Sequence, residues 1–231
     1  NVFSHRKFLE LSDWIAVPCT VLWVVAITNA VNLIDGLDGL AAGVSAIASV
    51  SLVIIAQLVG QSDIALIAVA IAGACFGFLP FNFNPAKIFM GDTGAMFLGF
   101  ILATVSIMGL FKGYAVISFV VPVLVLGLPL FDTGFAILRR LIAHKPIMQA
   151  DRGHLHHRLI DMGFSQRQTV MILYTMSGIL GLSAVVLTGS GALRAMILIL
   201  SVLVFVIAGA RYMNVPVAQP SETNEPEKRS K

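Results

Sequence analysis

Charge is what this sequence has least of. Only 12% of its 231 residues are Asp, Glu, Lys or Arg, against roughly 25% in an ordinary soluble domain. With 58% apolar residues and a mean hydropathy of +0.91, the chain belongs in a bilayer rather than in water. Cysteine is scarce too. Cys19 and Cys75 each sit inside an apolar run, which excludes a disulfide framework and reads them as small buried hydrophobes. No Lys/Arg run interleaves with aromatics, so a nucleic-acid partner is excluded. Strand-like alternation is missing, which excludes a membrane barrel, and no internal repeat is visible.

What is present is a series of continuous apolar runs. Crossing a bilayer takes about 20 apolar residues, and seven runs approach that length: residues 14–34, 40–59, 64–81, 93–110, 114–135, 170–188 and 192–210. Three connections are very short, which forces antiparallel neighbours. The expected fold class is therefore all-α, a polytopic membrane helix bundle of about seven spans. Residues 1–13 form an extracytoplasmic segment, 14–210 the membrane domain, and 211–231 a polar, proline-bearing tail expected to be disordered. The chain opens on Asn1 rather than Met, so its natural start is expected further upstream.

Lys and Arg set the orientation. If the end of the first span is cytoplasmic, eleven of the 15 basic residues fall on that side. They include Lys87, Arg139, Arg140, Lys145, Arg152, Arg158 and Arg167. The positive-inside rule supports this choice.

Three polar clusters interrupt the apolar runs, and all fall on that same expected face. The first is Asn29, Asn32, Asp35 and Asp38, spaced three apart and interleaved with Gly36 and Gly39. Members at that spacing are neighbours on a helix, and the glycines loosen it so that carboxylates and backbone can meet a ligand. Ionisable groups at membrane depth are functional by default; the plainer reading makes Asp35 or Asp38 a cap of the next helix. The second cluster is Asn82, Asn84, Lys87, Phe89 and Asp92, around Pro85. Asp92 could hold Mg²⁺, which favours one or two carboxylates plus substrate phosphates, or could simply be an N-cap. Phe89 could stack on a base or be an interfacial aromatic. The third reads Asp151-Arg152-Gly153-His154-Leu155-His156-His157-Arg158. Three readings stand: a zinc site, which the spacing of the histidines does not favour; a phosphate site, which the flanking arginines do favour; or a solvated basic loop. Together the clusters suggest phosphoryl chemistry on a lipid.

At these three clusters the chain resembles the polyprenyl-phosphate N-acetylhexosamine-1-phosphate transferases of glycosyltransferase family 4. The resemblance covers essentially residues 14–210, with segments 29–43, 89–94 and 154–159 in the family's order. The His-Leu-His-His-Arg-Leu form is similar to the branch that uses UDP-N-acetylglucosamine. The resemblance implies transfer of N-acetylglucosamine-1-phosphate to undecaprenyl phosphate with release of UMP, starting a teichoic acid or O-antigen type glycan at the cytoplasmic face of a bacterial plasma membrane. It implies Asp35, Asp38, Asp92 and His154 as catalytic residues. Asp92 and Asn29 would hold Mg²⁺, with Mn²⁺ a substitute. Asp35 and Phe89 would bind uracil, and Asn32, Asp38 and Asn82 would line the nucleotide pocket. Arg152, His154, His156, His157 and Arg158 would hold the diphosphate or sugar. Expected partners are UDP-N-acetylglucosamine, undecaprenyl phosphate, the lipid bilayer and a second copy in a homodimer.

The chain departs from the family at one point: the Asp-Asp-rich motif of an early cytoplasmic loop is not in it, and the resemblance implies further spans before Trp14. Three alternatives stay open, one of them a non-functional product of truncation, which turnover with the complete reading frame would separate from the other two. The muramoyl-pentapeptide branch typically has three consecutive histidines, where this chain has Leu155 between the first and second. A non-catalytic lipid-binding or transport protein would also suit an apolar bundle, although transporter sites usually lie at mid-membrane between repeats.

Overall fold

A computed structural model describes residues 12–110, 115–144, 146 and 153–189. The described residues are helical with no strand. In chain order the helices are α1 (Asp13–Ile34), α2 (Leu40–Leu58), α3 (Ser62–Asn82), α4 (Gly91–Leu110), α5 (Ala115–Val125), α6 (Gly127–Ile142), α7 (Leu155–Asp161) and α8 (Gln166–Gly189). Five are long and apolar enough to cross a membrane: α1, α2, α3, α4 and α8. The all-α polytopic bundle is thus observed, with one difference among the described spans. The expected span 114–135 is broken into α5 and α6 at Leu126. Pro122 lies inside α5, and Gly127 and Pro129 follow the break; proline removes a helical hydrogen bond and clashes with the preceding turn. The expected span 192–210, the polar tail and residues 1–11 lie outside the described residues. The stretch 136–169, expected as one loop, holds the end of α6, all of α7 and the start of α8.

Helix α2 is the central helix, packed against both α3 and α8, while α1 packs on α4. Its sequence explains this. Ala41, Ala42, Gly43, Ser45, Ala46, Ala48, Ser49 and Ala56 are all buried, and small residues let helix backbones approach closely where lipid is as apolar as the protein. A Cβ at Gly43 would overlap the Tyr174 ring of α8, and one at Gly181 would meet Ser51 Oγ. At Gly99 a Cβ would lie 2.8 Å from Thr28 Cα, so α4 crosses α1 almost backbone to backbone. Trp23 Nε1 donates to Ser106 Oγ and Ala103 O, both at 3.3 Å, completing that pair.

The outward faces are apolar. Trp14 (89% exposed), Leu66, Phe76 and Phe97 are exposed among the described residues, as lipid-facing side chains are in a bundle. Cys75 is buried as expected, but Cys19 is exposed on the outer face of α1. Its apolar surroundings in sequence reflect lipid contact rather than a protein core. A second, smaller core of Ile34, Leu40, Ala41, Val44, Leu128, Val170 and Leu173 closes one end of the bundle. The polar residues stand on it.

Candidate active site

Antiparallel threading brings the α1–α2 turn, the α3–α4 loop and the α6–α8 region to the same end of the bundle. Side-chain contacts show that they meet. Helix α1 stops at Ile34, so only Asn29 and Asn32 share a helical face. Asp35 is its C-cap and Asp38 lies in the turn, which corrects the idea of one continuous polar stripe from 29 to 38. Gly39 begins α2 with φ +82° and no side-chain cap, a left-handed conformation that glycine adopts without strain. Neither Asp35 nor Asp38 caps α2.

Asp38 Oδ2 instead accepts from Asn84 Nδ2 (3.1 Å) and from the Ala86 backbone N–H (3.0 Å). Asn84 Nδ2 also donates to Gln166 Oε1 (2.8 Å), and Arg167 Nε donates to Asn84 O (3.0 Å). The α3–α4 loop is therefore tied to the first turn at one end and to the start of α8 at the other. Asn82 is 3% exposed. Its Oδ1 accepts from Gly39 N (3.1 Å) and its Nδ2 donates to Ile88 O (3.0 Å). Tyr174 O–H donates to Gly39 O at 2.5 Å. Gly39 is thus held by both its amide and its carbonyl, which fixes the turn that carries Asp35.

These clamps frame a cavity of about 160 Å³ lined by Asp35, Gly36, Leu37, Asp38, Asn82, Phe89 and Met90. Phe89, 75% exposed, stands at its rim. Burial pushes the Asp35 carboxyl up to about 6, and the charges of Asp92 and Asp38 push it the same way. Across from it, Asp92 Oδ1 accepts from Asn32 Nδ2 at 3.2 Å. Asp92 lies in the first turn of α4, which starts at Gly91. Asn29, exposed on α1, gives its Nδ2 to Val25 O (2.7 Å).

The third cluster arrives on α7. His154 is its N-cap residue and is buried. His156 is 2% exposed, and a Cβ on Gly36 would lie 2.6 Å from its Nε2. The histidine segment therefore lies directly against the turn bearing Asp35. The rings of His154 and His156 stack at 5.8 Å with 11° between planes, and His157 follows at 4.2 Å from His156. Burial holds His156 neutral, its pKa pushed down to about 4, with the neighbouring His157 adding to the effect. Arg158 is half-buried on α7; Arg152 lies outside the described residues.

Two metal readings can be weighed on this geometry. Stacked rings do not converge on a point. Among the described residues no three His, Cys, Asp or Glu side chains come together as a metal cage, so the zinc reading gains no support. For Mg²⁺ the donor set fits differently. Asp92 and Asp38 both add to the cost of ionising Asp35, and an oxygen-loving cation that keeps water and substrate phosphate in its shell needs only one or two carboxylates.

Sequence reasoning missed Asp132 and Tyr174. Asp132 accepts from Leu155 N with Oδ1 (2.7 Å) and pairs with His154 Nδ1 through Oδ2 (3.2 Å). It was legible as an ionisable residue inside the apolar run 114–135, the kind of residue that is seldom idle. Tyr174 gave no such signal, because a tyrosine in a span reads as ordinary packing.

The described helices and this site define a multi-pass membrane protein with an acidic, histidine-flanked site at one end of the bundle. The model of glycosyl transferase family 4 matches residues 1–110, and the chain belongs to that family. It is 44% identical over 192 residues to the "Probable undecaprenyl-phosphate N-acetylglucosaminyl 1-phosphate transferase" of Bacillus subtilis, covering 83% of this chain and 54% of the relative. It is 39% identical to the "Decaprenyl-phosphate N-acetylglucosaminephosphotransferase" of Mycobacterium leprae, over 76% of this chain and 49% of the relative. The "Phospho-N-acetylmuramoyl-pentapeptide-transferase" of Staphylococcus saprophyticus is 39% identical, over 70% of this chain and 49% of the relative. The chain spans about half the length of the curated relatives it matches.

Proposed function

We propose that the protein to which this chain belongs transfers N-acetylglucosamine-1-phosphate from UDP-N-acetylglucosamine to undecaprenyl phosphate at the cytoplasmic membrane face, releasing UMP. The product would start an envelope glycan of the teichoic acid or O-antigen type. The observation that carries the reading is the convergence of the three motifs. Carboxylates and a rim aromatic line one cavity, and an α7 histidine lies against Gly36 in its wall, all at one end of the bundle. The names of the Bacillus and Mycobacterium relatives support the donor and the lipid class.

In this reading an oxygen of the lipid phosphate attacks the β-phosphorus of the nucleotide sugar. The bond from that phosphorus to the bridging oxygen breaks, and UMP leaves with the electron pair. The cavity is smaller than the roughly 300 Å³ at which ligand pockets begin. It suits one flat ring, with Phe89 stacking on uracil and Asp35 accepting from it. Diphosphate and sugar would then extend along the open face toward Asp92 and α7. Asn32 orients the Asp92 carboxylate, while Asp38 and Asn82 keep the cavity wall in place through the loop. Asp92, with Asn29 as the second ligand that the resemblance implies, would hold Mg²⁺, which would supply neutralisation of phosphate charge. His156, neutral, would offer hydrogen bonds rather than charge; His154, His157 and Arg158 would face the anion, a role the motif in sequence extends to Arg152.

The runner-up donor is UDP-N-acetylmuramoyl-pentapeptide, which the Staphylococcus relative brings forward. Leu155 packs with the small core beneath the site, so a histidine there would enter apolar surroundings; this favours the N-acetylglucosamine donor. The test uses the full-length protein in membranes with UDP-N-acetylglucosamine, undecaprenyl phosphate and Mg²⁺, following UMP release and labelled lipid. Asp92→Asn should lower turnover by about 10²-fold or more. Product from the muramoyl donor alone would replace the reading, and no product from either donor would refute it.

A further inference from the structure

Asp132 lies in the second turn of α6, just past the break at Leu126. Its side chain is 8% exposed and that of His154 is 11% exposed. Two different obligations meet at this one carboxylate. The first is the backbone of α7. A helix start leaves amide N–H groups without partners, and His154, the N-cap residue, supplies no side-chain cap. Asp132 Oδ1 reaches across from another helix and takes the Leu155 N–H at 2.7 Å. The second is the ring of His154, whose Nδ1 lies 3.2 Å from Asp132 Oδ2.

We propose that Asp132 is the positioning residue of the site, fixing both where His154 sits and which of its ring nitrogens carries the proton. An ionised carboxylate only accepts hydrogen bonds. With Oδ2 against Nδ1, the proton belongs on Nδ1 and the lone pair on Nε2. The partner of one ring nitrogen decides the chemistry of the other, and carboxylate partners of this kind orient functional histidines. Oδ1 removes the remaining freedom, because the backbone that carries the ring is pinned by the same group. The consequence passes along α7. His154 stacks on His156, and His156 presses on Gly36 beside Asp35. Tilting His154 would tilt the face that α7 presents to the cavity.

The inference rests on the reading in which His154 serves the transfer, so the test separates the two. Full-length protein labelled with ¹⁵N-histidine is examined by solid-state NMR in membranes, with His154 assigned by loss of its signal in His154→Gln. The Nδ1–H tautomer is expected; an Nε2–H tautomer in the unsubstituted protein overturns the proposal. Asp132→Asn keeps the oxygen that accepts from Leu155 but presents an N–H to His154 Nδ1, which inverts the tautomer. Its thermal midpoint should stay near that of the parent and its donor KM within about twofold, while kcat falls about 10- to 100-fold. Parental kcat in Asp132→Asn overturns the proposal whatever the tautomer, as does a loss shared equally with the thermal midpoint. Should Asp132→Asn fail to fold, the tautomer of the parent protein still decides. Parent protein that turns over neither donor refutes the transferase reading and leaves the tautomer measurement intact.

Discussion

Placing a single methyl group at Gly36 is the sharpest perturbation of this site. Gly36 has no positive φ, so alanine meets no backbone strain and the effect is purely one of space. Its Cβ would lie 2.6 Å from His156 Nε2, 3.1 Å from Cε1 and 3.4 Å from Cδ2. Ordinary contact begins at 3.4 Å, so the ring must retreat by about 0.8 Å. It has little room to do so. His156 is 2% exposed, with His157 4.2 Å away on one side and the His154 ring stacked at 5.8 Å. Overpacking of this kind costs about 1–3 kcal/mol, and displacing a positioned group by about 1 Å lowers turnover by roughly 10²-fold. The assay measures UMP release and thermal unfolding of Gly36→Ala in full-length protein. Gly77→Ala on α3 serves as control, because nothing lies within 4 Å of its Cβ. A cycle with His156→Ala gives the decisive number. If the clash is the cause, the stability losses of the two substitutions are less than additive by about 1 kcal/mol or more. Parental turnover in Gly36→Ala, or strictly additive losses, would show that α7 does not lie against this turn.

Asp38→Ala removes the acceptor of Asn84 Nδ2 and of the Ala86 N–H, so the loop bearing exposed Lys87 should open. Trypsin cleavage after Lys87 should quicken by about tenfold or more, consistent with losing about 1.5–3 kcal/mol of charge-assisted hydrogen bonding. Tyr174→Phe frees the Gly39 carbonyl at the head of α2 and should cost about 1–2 kcal/mol in denaturant titration; Gly43→Ala, which drives a methyl into the same ring, should cost more. His156 titrates near 4 when folded and near its ordinary 6.5 when unfolded, so between those values the unfolded chain takes the proton more readily and stability is lost as the pH is lowered. Asp35, raised to about 6, works in the opposite sense: below that pH the folded state takes the proton more readily and gains stability. The histidine part is therefore read as the difference between parent and His156→Gln, which should shrink by about 2 kcal/mol from pH 7 to pH 5. An unchanged difference would mean that His156 is not buried.

The sequence by itself determined the solvent and the class of fold. Long uncharged runs have no stable form in water and, in lipid, only helices satisfy every backbone group within one segment. Alternating direction through short connections was enough to send Asp35, Asp92 and the α7 histidines to one face, because each crossing reverses the chain. The broken span at Leu126 was half legible: Pro122, Gly127 and Pro129 marked it, but apolar length alone joined α5 to α6. What tertiary structure decided is what each polar group touches. Three-residue spacing put Asp35 and Asp38 in line with Asn29 and Asn32, yet α1 ends at Ile34, and the turn sends Asp38 into the α3–α4 loop while Asp35 faces the cavity. Spacing also left the histidines open between metal, phosphate and solvent. Only packing shows His156 against Gly36 and His154 gripped by Asp132, a residue 22 positions upstream. Such pairings join segments whose separation along the chain is unrelated to distance in the bundle, so no local pattern encodes them.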